Sequence, residues 1–221
     1  LIKKEVVLCN ENVHSRNKNR ILKGGNIVAR SKEFDEEEAL DKAMTVFWRQ
    51  GFEKTSIQDL VDQMGIHRRS LYDTFGDKHS LFVQTLERYE SLIAAQIRNQ
   101  ITEEMTTVES IRKIFELAVY SDNASPKGCL IVNTAVELSL LDNEVSQRIK
   151  SAFKQTENLI ADLLIRGQAR GEVASSFDSS ELARYIHNAL IGVRVLVKTT
   201  SDPQELESTI DLTLSILKND Q

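Results

Sequence analysis

The chain has 221 residues, a formal net charge of −5 and 41% hydrophobic residues, so it can bury a sizeable core in one or two domains. Two prolines and nine glycines favour long helices with few turns. The sequence has neither an apolar run of membrane-spanning length nor a recognisable signal peptide, which argues against membrane and secreted proteins. Its two cysteines do not have a metal-ligand spacing, and we expect the protein in a reducing cytoplasm.

Residues 1–29 differ from the rest of the chain. The first 30 residues carry seven lysines or arginines against two glutamates and show no sustained hydrophobic period. One interpretation is a basic arm that follows phosphates or a minor groove. The other, which we favour, is a leader outside the natural protein, because Lys23-Gly24-Gly25 can be encoded as the ribosome-binding sequence AAAGGAGG and Val28 as a GTG start. In both cases we expect the residues before about Ile27 to be poorly ordered.

An acidic run from Glu33 to Glu38 marks the start of a first helix near Asp35, since carboxylates in a first turn interact favourably with the helix dipole. The negative charge does not exclude a nucleic-acid partner, because binding depends on the local field. We expect the acidic balance to make such binding sensitive to salt and to favour specific over loose binding.

Residues 55–81, TSIQDLVDQMGIHRRSLYDTFGDKHSL, predict two short helices joined by a tight glycine turn and followed by the start of a third. Ser56 is a good N-cap residue, and Asp59 falls in the first turn of the helix that it begins. Gly65 ends that helix, because glycine adopts a positive φ without steric cost. One apolar face at helical spacing consists of Ile57, Leu60, Val61 and Met64.

The second of these helices runs from about residue 67 to residue 75. Leu71 and Phe75 are four residues apart and face the core, whereas the outer surface is polar and basic. Arginine can pair bidentately with guanine edges or with phosphate, and tyrosine offers a hydroxyl for phosphate. The outward residues are Arg68, Arg69, Ser70 and Tyr72.

The next helix begins at Gly76-Asp77-Lys78. Asp77 is a plausible cap, but Lys78 stands against the helix dipole, which indicates an external anion such as phosphate. His79 is also assigned to the DNA side. Taken one by one, these cations favour a merely solvated face; taken together with the cap, the turn and the apolar spacing, they favour DNA binding.

The segment from about Phe34 to Leu86 resembles the N-terminal DNA-binding domain of the TetR/AcrR family of bacterial transcriptional repressors. The spacing between the matching blocks is kept. These blocks are Phe47-Trp48, Gly51-Phe52, Thr55-Ser56-Ile57, Gly65-Ile66, Leu71-Tyr72, Phe75, Lys78 and Leu81-Phe82.

The resemblance implies an all-α fold. A three-helix helix-turn-helix domain would occupy residues 30–80, and a larger ligand-binding and dimerisation domain residues 81–221. By resemblance, Arg68, Arg69, Ser70 and Tyr72 read the groove, while Ser56, Gln58 and Lys78 contact phosphates. His67 departs from the small polar residue usual at the start of the recognition helix and counts among the DNA-binding candidates. Arg30 and Lys32 would form a short basic arm beside the DNA.

The rest of the chain predicts six further helices, which gives nine in two domains. The last two long helices are apolar over more than one face, so we expect them to be buried on both sides by pairing with a second copy. The alternative is packing within the subunit only. The predicted ranges are 77–102, 108–120, 128–141, 144–171, 179–198 and 203–217.

Cys129, Asn133 and Glu137 fall at i, i+4 and i+8 on an otherwise apolar helix, so this stripe either faces a pocket or is satisfied by neighbouring helices. The string PKGCLIVNTAVEL also resembles a subgroup of the family whose effectors are small electrophiles or other hydrophobic compounds. Cys129 is therefore either a reactive sensor thiol or an inert buried one. The candidate ligand-binding residues are Phe115, Tyr120, Cys129, Asn133, Glu137, Tyr185 and His187, and Arg194 is a further candidate.

No catalytic motif, cofactor motif or metal motif is recognisable, so we predict a protein that is not an enzyme. The predicted function is a transcriptional repressor that binds a palindromic double-stranded operator as a homodimer and is released by a small-molecule effector. The alternative is a helical small-molecule-binding or protein-interaction module without DNA binding. Arg68, Arg69 and Lys78 argue against that alternative.

Overall fold

The computed structural model describes residues 34–120, 126–200 and 202–217. The predictions for residues 1–29, Arg30 and Lys32 lie outside this part of the chain. The described residues contain nine α-helices and no strand, which confirms the all-α prediction. They are α1 (Glu36–Gln50), α2 (Ile57–Met64), α3 (Arg68–Phe75), α4 (Lys78–Gln100), α5 (Thr107–Val119), α6 (Leu130–Leu138), α7 (Asn143–Ala169), α8 (Ser179–Leu196) and α9 (Pro203–Ser215).

Short polar side chains begin seven of these nine helices by accepting a first-turn N–H. Ser56 and Thr106 do so within reciprocal capping boxes, with Asp59 and Glu109 returning the contact. α3 and α6 begin at His67 and Cys129 without any such side-chain bond. The capping residues of the other seven are Asp35, Ser56, Asp77, Thr106, Asp142, Asp178 and Asp202.

α6 is shorter than predicted at both ends. Gly128 has a φ of +89°, and Cys129 is extended, so the helix begins only at Leu130. At the other end, the carbonyl of Leu138 accepts the N–H groups of both Leu141 and Asp142 at 2.9 Å and closes a turn. The other predicted helix boundaries agree with the structure to within about two residues.

The first three helices pack on the start of α4. Phe47 of α1 and Phe82 of α4 meet edge to face, with ring centroids 4.9 Å apart, and both are almost completely buried. Gly65 takes the left-handed conformation (φ +69°) that lets the chain turn sharply from α2 into α3. This packing fixes the orientation of α3, because Leu71 and Phe75 are buried in the same cluster.

Two hydrophobic clusters make up the core of the described residues. One joins α1–α4 to α6 and the first half of α7, and the other joins α5, α8, α9 and the second half of α7. The first cluster continues through Leu81 and Leu86, so apolar packing crosses the predicted division at residue 80. That division remains a prediction.

Candidate functional site

The outer surface of α3 carries the predicted basic face. Arg68 and Arg69 are exposed and Tyr72 is 43% exposed, while Leu71 and Phe75 point into the core. The Arg69 side chain is 91% exposed and makes one loose ion pair, 3.4 Å to Asp73 on its own helix. The Arg68 guanidinium lies 6.0 Å from the centre of the Tyr72 ring. These side chains can therefore reach an outside partner without breaking a buried contact.

The residues around α3 are held by local contacts. The Ser56 hydroxyl donates to Asp59 at 2.7 Å, and the Gln58 amide donates to Asp62 at 2.8 Å. His67 precedes α3 in extended conformation and is exposed, and Ser70 is half-buried. Ser56 and Gln58 thus lie at the N-terminus of α2 and His67 at that of α3, and backbone N–H groups at such helix ends favour an anion.

Lys78 and His79 diverge at the start of α4. The Lys78 ammonium lies 4.3 Å from the centre of the Phe52 ring, a cation–π geometry. His79 Nε2 lies 2.7 Å from an Asp142 oxygen at the N-terminus of α7, so the structure turns His79 towards the C-terminal helices and away from its predicted DNA-side position. Hydrogen bonds from the Val145 N–H and from His79 hold the pKa of Asp142 below its usual value.

Two adjoining cavities flank α4, with volumes of about 250 Å³ and 240 Å³. The first lies between α4 and α7, and its apolar wall includes Ile131, Phe153 and Leu159. The second lies between α4, α1 and α5, and Trp48 and Ile114 contribute to its wall. The side chains common to both cavities are Tyr89, Ile93, Ile97, Cys129 and Arg194.

Tyr89, Cys129 and Arg194 form the polar part of this shared wall. Burial raises the pKa of Tyr89 well above its usual value, so its hydroxyl stays protonated. Cys129 and Leu130, where α6 begins, are close neighbours of that hydroxyl. Cys129 is 2% exposed.

Four of the predicted ligand residues lie apart from the cavities. Phe115 is buried in the second hydrophobic cluster, and Tyr185 is 51% exposed on α8. Asn133 accepts a hydrogen bond from the Lys198 ammonium at 3.1 Å.

His187 is buried, with Nδ1 3.6 Å from a Glu157 oxygen and its ring packed on Phe153. Tyr120 does line the second cavity, and its hydroxyl donates to Glu207.

Glu137 points to the helix-turn-helix and not to a cavity. Its two carboxylate oxygens accept the backbone N–H groups of Phe52 and Glu53 at 3.0 and 2.9 Å. A Cβ atom at Gly51 would lie 2.7 Å from one of these oxygens, and Gly51 has a φ of +82°, so only glycine fits this approach. The stripe of Cys129, Asn133 and Glu137 is therefore split: it begins at the cavities and ends at the turn between α1 and α2.

The sequence analysis did not assign Tyr89 or Trp48 to the cavities, although it named Arg194 as a ligand-binding candidate. Tyr89, Ile93 and Ile97 recur at four-residue spacing on α4, which is the same signal that a core stripe gives. Within the described residues, no group of three or more His, Cys, Asp or Glu side chains could hold a metal ion. None of the helices in this part of the chain is long and apolar enough to cross a membrane.

Comparison with known proteins finds two family models. Residues 39–85 match the model described as bacterial regulatory proteins, tetR family. Residues 107–212 match the model described as tetracyclin repressor-like, C-terminal domain.

Curated relatives match most of the chain. It is 34% identical over 193 residues to YezE, an uncharacterised HTH-type transcriptional regulator of Bacillus subtilis (strain 168), covering 86% of this chain and all of YezE. It is 31% identical over 190 residues to ComR, an HTH-type transcriptional repressor of Escherichia coli (strain K12), covering 85% and 90% of the two chains.

A solved structure matches as well. It is a cysteine mutant of the TetR family transcriptional regulator CifR complexed with 26-bp double-strand operator DNA. The TM-score is 0.77 at 27% sequence identity, over 85% of this chain and 99% of CifR.

Proposed function

Because the chain belongs to the TetR family of bacterial transcriptional regulators, we propose that it is a repressor that binds a palindromic operator as a homodimer and leaves it when a small molecule binds. The chain is a DNA-binding transcriptional regulator, as its family membership indicates. The similarity to ComR, which is named a transcriptional repressor, supports a repressor function. The similarity to CifR, which is complexed with operator DNA, supports binding to an operator. A regulator of this kind acts in the cytoplasm and needs no catalytic activity.

The exposed basic face of α3 is the observation that carries the DNA-binding proposal. Arg68, Arg69 and Tyr72 project from a helix whose other side is anchored by Leu71 and Phe75. A helix of this kind reads base edges in the major groove, and we assign contacts to the DNA backbone or flanking bases to Ser56, Gln58, His67, Ser70 and Lys78. The predicted arm with Arg30 and Lys32 remains part of the proposal.

The test is a gel shift with the palindromic DNA upstream of the gene. Arg68→Ala and Arg69→Ala should each weaken binding about tenfold or more, since a bidentate contact to a base is worth roughly 1–3 kcal/mol. Arg166→Ala is the matched control, because it removes the same charge from an exposed position on α7, outside α3 and outside the α8–α9 face. Wild-type affinity in both α3 variants would contradict the groove-reading assignment.

α4 and α6 both connect the DNA-binding helices to the cavities. α4 begins at Lys78 and lines both cavities with Tyr89, Ile93 and Ile97. α6 begins beside Cys129 and ends at the Glu137 contact. A ligand that binds the released conformation more tightly would lower the affinity of the protein for operator DNA. Operator DNA would lower the affinity of the protein for the ligand by the same factor.

Exposed apolar side chains on α8 and α9 support the homodimer. Tyr185, Val195 and Leu212 are 51%, 46% and 75% exposed, and Ile216, which directly follows α9, is 36% exposed. An apolar surface of this kind on two neighbouring helices is typical of an interface between copies. A two-fold dimer would present two α3 helices to the two halves of a palindrome.

A further inference from the structure

Arg194 differs from three other arginines in the helices around it, because no carboxylate of the described residues pairs with it. Arg88, Arg112 and Arg148 each contact two carboxylates: Glu37 and Asp41, Glu207 and Asp211, and Glu87 and Glu90. Arg194 is half-buried, and no hydrogen bond or ion pair joins its guanidinium to any described residue. A half-buried charge without a counter-ion is unfavourable, so the site is suited to an anion that comes from outside.

The charge balance of the cavities points the same way. Of the described residues that line the second cavity, Arg194 alone is charged. The first cavity adds Arg98 and Glu90, but the Glu90 carboxylate is already 3.3 Å from Arg148. The cavities therefore have a net positive potential within mainly apolar walls.

Arg194 also acts on the buried polar groups near it. Its positive charge opposes the effect of burial on the pKa of Tyr89 and adds to the effect of burial that lowers the pKa of His187. Both neighbours consequently remain uncharged near pH 7, and neither neutralises the guanidinium. The Tyr89 hydroxyl is a second polar group on the same shared wall.

We propose that the effector is an amphipathic organic acid whose carboxylate pairs with Arg194 and whose hydrocarbon part lies along α4 against Ile93, Ile97 and Phe153. This inference rests on the proposed function, since it gives the chemical class of the effector. Arginine pairs with carboxylates through two parallel hydrogen bonds, and the apolar walls supply the remaining affinity. Each cavity is smaller than the ~300–1,000 Å³ of pockets for drug-sized ligands, which favours a short or medium chain.

The protein contains its own reporter for this binding. Trp48 is the single tryptophan of the chain, lines the second cavity and packs edge to face on Tyr89, with ring centroids 4.9 Å apart. Its indole Nε1 is buried, and no described residue is its hydrogen-bond partner. A ligand that enters beside Tyr89 should change the tryptophan emission.

The experiment titrates the full chain, without DNA, with straight-chain carboxylates of four to twelve carbons and with the alcohols of the same lengths, followed by Trp48 emission. We expect the best carboxylate to bind at least about tenfold more tightly than its matched alcohol. Arg194→Gln should remove this preference, and Arg194→Lys should retain part of it. Arg166→Gln is the control and should keep the preference, because it removes the same charge from an exposed position on α7 outside both cavities.

The proposal is overturned if no carboxylate binds more tightly than its matched alcohol, or if Arg194→Gln keeps the preference. A gel shift with the best carboxylate separates this result from the proposed function. Carboxylate binding that leaves the operator complex intact would count against effector release but not against the ligand site. Release by the alcohol and the carboxylate alike would count against the ligand class and support effector release.

Discussion

At the scale of single residues, the buried His187 determines how the stability of the protein depends on pH. His187 is 2% exposed on α8, and its Nε2 atom has no hydrogen-bond partner among the described residues. The charged groups that face it are Glu157 on α7 and Arg194 on its own helix. Burial, with the help of Arg194, lowers the pKa of His187 against the effect of Glu157, so the folded protein holds the histidine neutral.

Stability should therefore fall on acidification. The unfolded chain binds the His187 proton more tightly than the folded protein, so this contribution to the free energy of unfolding is complete above about pH 6.5 and decreases below it. His187→Phe keeps a ring against Phe153 and should flatten the profile between pH 7.5 and 5.5, by ~1.4 kcal/mol for each unit of pKa difference. Urea denaturation at a series of pH values measures this change.

The control for that series is His67→Asn, which removes a histidine from the exposed surface at the start of α3. It should leave the slope of stability against pH as in the wild-type protein. Equal slopes in the wild-type and His187→Phe proteins would show that another group causes the acid sensitivity.

At the scale of helices, α6 is the element whose position the chain fixes from both ends. Its first turn lies beside Tyr89 of α4 in the wall of the first cavity, and its last turn holds the α1–α2 turn through Glu137. The second contact joins residues 84 and 85 positions apart in sequence. A shift of α6 at the cavities would therefore be transmitted directly to the helix-turn-helix.

Glu137→Gln should weaken this connection. An amide presents one acceptor oxygen instead of two charged ones, so one of the two N–H bonds is lost and the other loses its charge assistance, at a cost of about 1–2 kcal/mol. We expect the variant to unfold at lower urea concentration and to bind operator DNA more weakly. Glu103→Gln, an exposed carboxylate in the loop between α4 and α5, is the control and should change neither. Unaltered DNA affinity in Glu137→Gln would remove α6 from the connection.

Local sequence patterns predicted the helices and the outer face of α3, because caps, glycines and apolar spacing act over a few residues. They could not place Glu137, since spacing along α6 puts it on one face with Cys129 but says nothing about which distant backbone it meets. The same holds for Arg194: its lack of a counter-ion depends on every helix packed around it. His187 was predicted at a ligand site and is instead buried between α7 and α8.

At the scale of the whole molecule, the acidic chain must bind DNA through a small basic surface used twice. This makes the dimer essential to affinity. Leu212→Glu places a charge on the exposed apolar face of α9 and should weaken the dimer by at least about 3 kcal/mol, roughly a hundredfold. Analytical ultracentrifugation should then show monomer, and a palindromic operator should be bound more weakly than by the wild-type protein.

Leu140→Glu is the matched control, because Leu140 is completely exposed in the turn after α6 and lies outside the α8–α9 face. This variant should remain dimeric. Dissociation of both variants to the same extent would place the interface elsewhere.

The missing side-chain cap of α3 has a consequence for hydrogen exchange. Arg68, Arg69 and Ser70 lie in the first turn, where backbone N–H groups have no acceptor within the helix, and His67 supplies none. These amides should exchange with solvent early in the free protein, whereas the Ser56 and Asp77 caps hold the starts of α2 and α4. A DNA phosphate would supply the absent acceptor. Operator binding should therefore slow the exchange of these amide hydrogens at the beginning of α3, where exchange in the free protein is fast.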